Sequence, residues 1–111
     1  MSEIWPLVRG RVYAARMSHL EEDKYFLVVS NNRRNRQLPQ VLAVRLTTTP
    51  KPPLPSIVPL VRPEVFVGSV VCDDIVEIYP DEVRRDLGAL SPAAMAAVGR
   101  GLAAALGLER P

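Results

Sequence analysis

Val41-Leu42-Ala43-Val44-Arg45-Leu46-Thr47-Thr48-Thr49 is the stretch of sequence that decides the fold. β-Branched and aliphatic residues over this length predict a core strand rather than a helix. The prolines within residues 50–55 cannot continue a hydrogen-bond ladder, so the strand must open into a loop. Hydroxyls and cations at a strand end can hold a phosphate, but an ordinary strand with a polar turn has the same pattern. This segment alone leaves both interpretations open.

Length and composition limit the protein class. A chain of 111 residues, 48% apolar and 23% charged, predicts a single globular domain over residues 1–111. The one cysteine, Cys72, excludes an internal disulfide and lies in an apolar run, where we expect a buried, unreactive thiol. His19, the single histidine, is expected to be solvated in a polar loop. Without a signal peptide or an apolar run of about 18 residues, we expect no membrane contact and a cytoplasmic location.

Charge is distributed unevenly along the chain. Residues 1–62 contain ten Lys/Arg and four Asp/Glu, a balance of +6, whereas residues 63–111 contain four and eight, a balance of −4. This asymmetry indicates that the first half faces a polyanion. Simple surface charging is the alternative, because sequence alone does not place the cations on one face.

Two further strands are predicted before the central one. Residues 9–17 follow a glycine turn, and residues 25–30 are apolar almost throughout, which predicts a strand covered on both faces. The segment 31–37 is wholly polar and contains Arg33, Arg34 and Arg36. We interpret it as a loop that faces nucleic acid, with a solvated loop as the alternative.

The second half predicts more strands and a terminal helix. Residues 56–60 form a short strand whose Pro59 suits a sheet edge, and residues 69–78 form a longer strand. Residues 80–87 predict a helical turn, because Pro80 opens it, acids come early, arginines come late and Gly88 follows.

Ser91 and Pro92 predict the start of the terminal helix, and Gly107 predicts its end. Its apolar stripe consists of Met95, Val98, Leu102, Ala105 and Leu106. The sequence therefore predicts a mainly β fold with a C-terminal α-helix, as a small twisted sheet or partly open barrel.

At this point the sequence resembles the MazF/PemK (Kid-like) toxin family over nearly its whole length. The resemblance rests on the order and spacing of several short segments: Arg9-Gly10-Arg11-Val12-Tyr13, Leu27-Val28-Val29-Ser30-Asn31, Val44-Arg45-Leu46-Thr47-Thr48, Leu54-Pro55-Ser56-Ile57-Val58-Pro59-Leu60, Gly68-Ser69-Val70-Val71-Cys72-Asp73, Leu87-Gly88-Ala89-Leu90-Ser91-Pro92, Met95 and Leu106-Gly107-Leu108.

The resemblance implies an SH3-like small barrel of the CcdB/MazF type, a homodimer, and the toxin of a type II toxin–antitoxin system. It also implies a metal-independent endoribonuclease without a cofactor, in which the 2′-hydroxyl of single-stranded RNA attacks the adjacent phosphate. Such chemistry needs a proton acceptor, a proton donor and cations on the phosphate. We expect the antitoxin to be an acidic, MazE-like peptide that crosses the basic half of the chain.

Carried over by position, the resemblance implies that Thr47 and Lys24 are catalytic. Lys24 stands where the family has an arginine, and lysine lacks the planar fork that grips two phosphate oxygens. Either Lys24 serves, or a nearby arginine such as Arg34 or Arg11 substitutes for it, or the enzyme is weakened or inactive. The expected RNA-binding residues are Asn31, Arg33, Arg34, Arg36, Arg45, Thr48 and Lys51.

A second hypothesis uses the same fold without catalysis. A degenerate toxin, or a relative of the gyrase-binding toxins, would bind a protein target and cleave nothing. The lysine at position 24 motivates this alternative. The polar, arginine-rich segment 31–37 favours an RNA path instead.

Overall fold

The computed structural model describes residues 4–108, and within that range the chain forms six strands and two α-helices. Residues 80–82 add a single 3₁₀ turn. The elements in chain order are β1 (Arg11–Ala15), β2 (Lys24–Val28), α1 (Asn32–Gln37), β3 (Val41–Thr47), β4 (Ile57–Leu60), β5 (Gly68–Ile78), β6 (Val83–Ala89) and α2 (Pro92–Leu106).

All six strands join one antiparallel sheet in the order β4-β5-β3-β2-β1-β6, so the strand that we expected to be central lies inside the sheet. β4 is an edge strand, so no strand on its outer side needs the backbone N–H that Pro59 lacks. A register shift lies between the pairs Val44–Ile75 and Arg45–Val71. Such a bulge bends β5, which lets its first part pair with β4 while its last part continues along β3.

The core consists of two apolar clusters, one on each face of the sheet. Alternation along β2 and β3 sends Phe26 and Ala43 to the first cluster and Leu27 and Val44 to the second. Trp5 packs on the first cluster. The expectation that β2 is covered on both faces is confirmed, since its last three residues are buried.

Helix α2 covers the second cluster. Ser91 Oγ accepts a hydrogen bond from the Ala94 N–H at 3.1 Å, and Gly107 ends the helix with φ 69°. Both predicted ends are therefore confirmed. The predicted apolar stripe is correct up to Ala105, but Leu106 is 56% exposed because the last turn projects beyond the sheet.

Two predictions of local structure are wrong. Residues 31–37 are not a loop, because the Asn31 side chain accepts from the Arg34 N–H and starts α1. Asn35 is buried and its side chain hydrogen-bonds Ser30, which fixes this short helix against the sheet. Residues 83–87 are not helical, because β6 pairs with β1 along its length. In both segments tertiary contacts decide the conformation.

Candidate functional site

A cavity of about 220 Å³ opens where β2 begins and β3 ends. These strands are antiparallel neighbours, so the start of one lies beside the end of the other. The residues that line the cavity come from the loop before β2, from β2 and β3 themselves, from the segment just after β3 and from the segment before β5: Glu22, Asp23, Lys24, Tyr25, Arg45, Leu46, Thr47, Thr48, Thr49 and Phe66.

Four of the residues predicted for the site lie together here, namely Lys24, Arg45, Thr47 and Thr48. The register pairs Tyr25 with Leu46, so Lys24 is next to Thr47 in the antiparallel ladder. Alternation places Arg45 and Thr47 on one side of β3. The strand boundaries therefore bring the two predicted catalytic residues to one place.

The hydroxyl of Thr47 is held by a local turn. Its Oγ1 accepts a hydrogen bond from the Thr49 N–H at 3.1 Å, a side-chain turn that threonine forms at the end of a strand. Since the oxygen already accepts a hydrogen bond, the hydroxyl proton can be donated outward. The turn thus prepares Thr47 to act as a donor to an oxygen in the cavity.

Lys24 makes an ion pair at the cavity rim. Its Nζ lies 2.6 Å from Glu22 Oε1, and the Lys24 side chain is 28% exposed while that of Glu22 is 74% exposed. The hydrogen bond from Lys24, with the charges of Lys24 and Arg45, lowers the pKa of the Glu22 carboxyl. An exposed pair of this kind is weak, so an anion in the cavity can compete for the ammonium.

Arg45 lies in the same cavity with an unused donor. Its Nε is buried and makes no hydrogen bond to any residue between 4 and 108. A buried donor without a partner is unfavourable by about 1–3 kcal/mol, and more when it is charged. A bound anion would relieve this cost, so Arg45 gives the cavity a second cation with spare hydrogen-bonding capacity.

The other predicted RNA-binding residues lie elsewhere on the surface. Asn31, Arg33 and Arg34 line a second cavity on α1 of about 380 Å³. Arg36 lines a third cavity beside the N-terminal segment, and Lys51 a fourth beside the proline-rich loop. The basic first half of the chain therefore surrounds several openings and does not converge on a single one.

Neither arginine that we considered as a substitute for Lys24 lines its cavity. Arg11 Nε pairs with Asp86 at 3.0 Å, and this hydrogen bond raises the pKa of the guanidinium. Arg34 donates to the Gln40 side chain at 3.1 Å. Among the described residues, the arginine that shares the cavity with Lys24 is Arg45.

Six of the residues that line the cavity were not predicted for the site: Glu22, Asp23, Tyr25, Leu46, Thr49 and Phe66. Glu22 lies just before β2, and Tyr25 lies within it. Phe66 comes from a distant part of the chain and reaches the cavity only because β5 pairs with β3. A sequence signal was available for Glu22 alone, since it stands two positions before Lys24.

The remaining reactive side chains lie outside this cavity. Cys72 is buried, and burial raises its pKa to about 11, which agrees with an unreactive thiol. His19 is exposed. Within residues 4–108, no group of three or more His, Cys, Asp or Glu side chains is placed to hold a metal ion. Over the same range, no helix is both long enough and apolar enough to cross a membrane.

Comparison with known proteins gives a consistent result. The family model described as "PemK-like, MazF-like toxin of type II toxin-antitoxin system" matches residues 8–106. Endoribonuclease MazF1 of Mycobacterium bovis and Endoribonuclease MazF4 of Mycobacterium tuberculosis are each 39% identical over 104 residues, which cover 94% of this chain and 96% of the relative.

Solved structures show the same likeness. A mycobacterial endoribonuclease in complex with its cognate antitoxin superimposes with a TM-score of 0.86 at 39% identity, over 94% of this chain and 98% of that one. MazF from a MazE–MazF complex of Deinococcus radiodurans has a TM-score of 0.76 at 21% identity, over 90% and 94% of the two chains. The second likeness concerns the fold alone.

Proposed function

The chain belongs to the PemK-like, MazF-like toxin family of type II toxin–antitoxin systems and is an endoribonuclease, and from this premise we propose that it cleaves single-stranded RNA in the cavity between β2 and β3. In the proposed reaction, the 2′-hydroxyl of a ribose gives its proton to water, and its oxygen attacks the adjacent phosphorus. The bond from phosphorus to the 5′-oxygen breaks, which leaves a cyclic phosphate and a 5′-hydroxyl. RNA supplies the nucleophile and the chain supplies the cations, so this reaction requires no metal ion.

The observation that carries the proposal is the convergence of Lys24, Arg45 and Thr47 in one cavity. A phosphate in the transition state gains negative charge on its oxygens, and fixed donors near those oxygens lower the barrier. Thr47 offers a hydroxyl proton whose direction the Thr49 N–H restricts. Arg45 offers an unused Nε–H. The two groups together would bind the phosphate oxygens.

Lys24 is the group that we assign to proton transfer. Its ammonium, at the end of a flexible side chain, carries the proton that the departing 5′-oxygen requires. To reach the substrate, it must leave Glu22. Because that ion pair is exposed, the substrate phosphate replaces Glu22 at little cost.

Partners and location follow from the same premise. We propose that an acidic antitoxin binds this chain, which is supported by the mycobacterial relative in complex with its cognate antitoxin and by the +6 balance of residues 1–62. Homodimerisation and action in the cytoplasm, where messenger RNA is accessible, are further parts of the proposal. The second hypothesis, a non-catalytic binding protein, is not favoured, because the relatives at 39% identity are endoribonucleases.

Replacement of the Thr47 hydroxyl tests the proposal. Purified protein, freed of antitoxin, is incubated with RNAs of varied sequence in excess chelator, and fragments with a 5′-hydroxyl are quantified. We expect Thr47→Val to lower kcat/KM by about 10²–10³-fold, the usual effect of losing one transition-state donor. Thr47→Ser keeps the hydroxyl and is expected to retain most of the activity.

Variants of Lys24 test its role separately. We expect Lys24→Ala to lose activity and Lys24→Arg to retain part of it, since arginine keeps the charge but is a poorer proton donor. Both side chains are partly exposed, so thermal unfolding should show intact folds. Parent-like cleavage by both Thr47→Val and Lys24→Ala would show that the cavity is not the active site.

A further inference from the structure

Two aromatic residues, Tyr25 and Phe66, are among those that line the cavity, and both also pack against the second core cluster. Their centroids are 5.5 Å apart and their planes are tilted by 48°. Tyr13 and Phe26, by contrast, are fully enclosed in the core. Tyr25 and Phe66 are half-buried, so part of each ring is open to the cavity.

Gly68 allows the Phe66 ring to lie close to Thr47. It has a positive φ of 151°, and a Cβ there would lie 2.9 Å from Phe66 Cε1 and would overlap the Thr47 carbonyl oxygen. Only a residue without a side chain lets the ring, the backbone of β5 and the end of β3 meet in this way. The Phe66 ring therefore lies beside the end of β3, where Thr47 is located.

Single-stranded RNA offers a group that suits such a pair. Unpaired bases stack on aromatic side chains, and each base is joined through one ribose to its phosphate. With a phosphate bound by Lys24, Arg45 and Thr47, a neighbouring base can reach the rings of Tyr25 and Phe66. The Tyr25 hydroxyl makes no hydrogen bond within residues 4–108, so the polar end of that ring is not engaged in the fold.

We propose that Tyr25 and Phe66 form a nucleobase-stacking site for a nucleotide that adjoins the scissile phosphate. The inference rests on the proposed function, because it assumes that the phosphate binds in this cavity. It adds a binding determinant that acts on the base and not on the reacting atoms. The two residues are positioning residues, and their loss should weaken substrate binding more than the chemical step.

A fluorescent RNA tests the stacking directly. The cleavage position of one RNA is mapped first, and a 2′-deoxyribose at that position then removes the nucleophile. Placing 2-aminopurine beside the scissile phosphate reports stacking as quenching. We expect quenching with the parent and much less with Phe66→Leu or Tyr25→Leu. The matched control is Tyr79→Leu, which removes an aromatic ring that is 42% exposed and lies outside the cavity.

Affinity and kinetics give the magnitude. Stacking of one base on an aromatic side chain corresponds to a change of about 5- to 150-fold in Kd. We expect Phe66→Leu to raise the Kd of the deoxy-substituted RNA and the KM of the cleavable RNA within that range. Its kcat should change little, and Tyr79→Leu should leave both constants unchanged.

An abasic nucleotide separates stacking from a merely structural effect. Removing the base beside the scissile phosphate should weaken RNA binding to the parent. It should weaken RNA binding to Phe66→Leu far less, because that variant has already lost the stacking contact. The proposal is overturned if removal of the base weakens RNA binding equally in parent and variant at every neighbouring position. It is also overturned if both aromatic variants quench 2-aminopurine as strongly as the parent does.

The two proposals fail in different ways. If the parent binds and cleaves RNA and the aromatic variants bind RNA equally well, the stacking site is overturned and the proposed function remains intact. A parent that neither binds nor cleaves any RNA overturns both. Thermal unfolding of each variant verifies that it is folded before its binding is compared.

Discussion

Replacing Gly101 by alanine should disturb the contact between α2 and the sheet. A Cβ at this position would lie 2.8 Å from Cys72 Sγ and 3.0 Å from Val58 Cγ2. Cys72 is completely buried and Val58 is 7% exposed, so neither side chain can turn away into solvent. Gly99, two residues earlier in the same helix, would place its Cβ in open space.

The expected free energies follow from two opposing effects. Alanine replaces glycine in a helix with a gain of about 1 kcal/mol. Extra volume in a well-packed core costs about 1–3 kcal/mol. Gly99→Ala should therefore stabilise the protein by about 1 kcal/mol. Gly101→Ala has the same gain and the additional cost, so its unfolding free energy should range from unchanged to about 2 kcal/mol lower.

The two variants are best compared with each other, because the helix-propensity gain cancels between them. The difference in unfolding free energy then reports overpacking alone, about 1–3 kcal/mol in favour of Gly99→Ala. For a domain of this size, that corresponds to about 4–8 °C in Tm for each kcal/mol. Urea denaturation should be measured at one fixed protein concentration, since oligomerisation would shift the midpoints. If Gly101→Ala is as stable as Gly99→Ala, the close approach of α2 to β5 is refuted.

Three other residues give independent predictions. Glu22→Gln frees the Lys24 ammonium and should lower KM for RNA by about twofold to fivefold with little change in kcat; an unchanged or higher KM in steady-state assays would contradict the competition between Glu22 and the phosphate. The hydroxyl and the N–H of Ser91 lower the pKa of Glu64, so its contribution to stability is complete above the unfolded value of about 4.3 and is lost as pH falls through the lower folded value. Glu64→Gln should therefore flatten the acid part of a urea-midpoint profile, and a profile identical to that of the parent would contradict it. Cys72, with a pKa of about 11, should resist iodoacetamide at pH 8 in the native protein and react in urea, whereas rapid native labelling would contradict its burial.

Local sequence was sufficient to predict the two ends of the site. The apolar run in β3 and the prolines after it fix where that strand stops, which places Thr47 at the sheet margin. The apolar run in β2 begins at Tyr25, so Lys24 stands at the start of that strand. Consecutive strands are usually neighbours in a sheet, and in an antiparallel pair the start of one strand lies beside the end of the other. Their proximity could therefore be predicted before any coordinates were known.

Other parts depended on contacts that a single sequence does not reveal. The segment 31–37 has the composition of a loop, yet the burial of Asn35 against Ser30 makes it helical. Residues 83–87 carry the charge order of a helix, yet pairing with β1 makes them a strand. Phe66 reaches the cavity through a long-range pairing of β5 with β3. In each case a partner distant in sequence outweighs local preference.

The lysine at position 24 is best understood together with Arg45. The family resemblance implies an arginine at the start of β2, where one side chain would supply both positive charge and a planar fork of donors. Here the cavity contains a lysine from β2 and, from the adjacent strand, an arginine with a buried, unpartnered Nε. The guanidinium of Arg45 can bind phosphate oxygens while the ammonium of Lys24 exchanges a proton, which arginine does poorly. In the proposed mechanism the two tasks are divided between neighbouring strands, and the departure from the family pattern is compatible with an active enzyme.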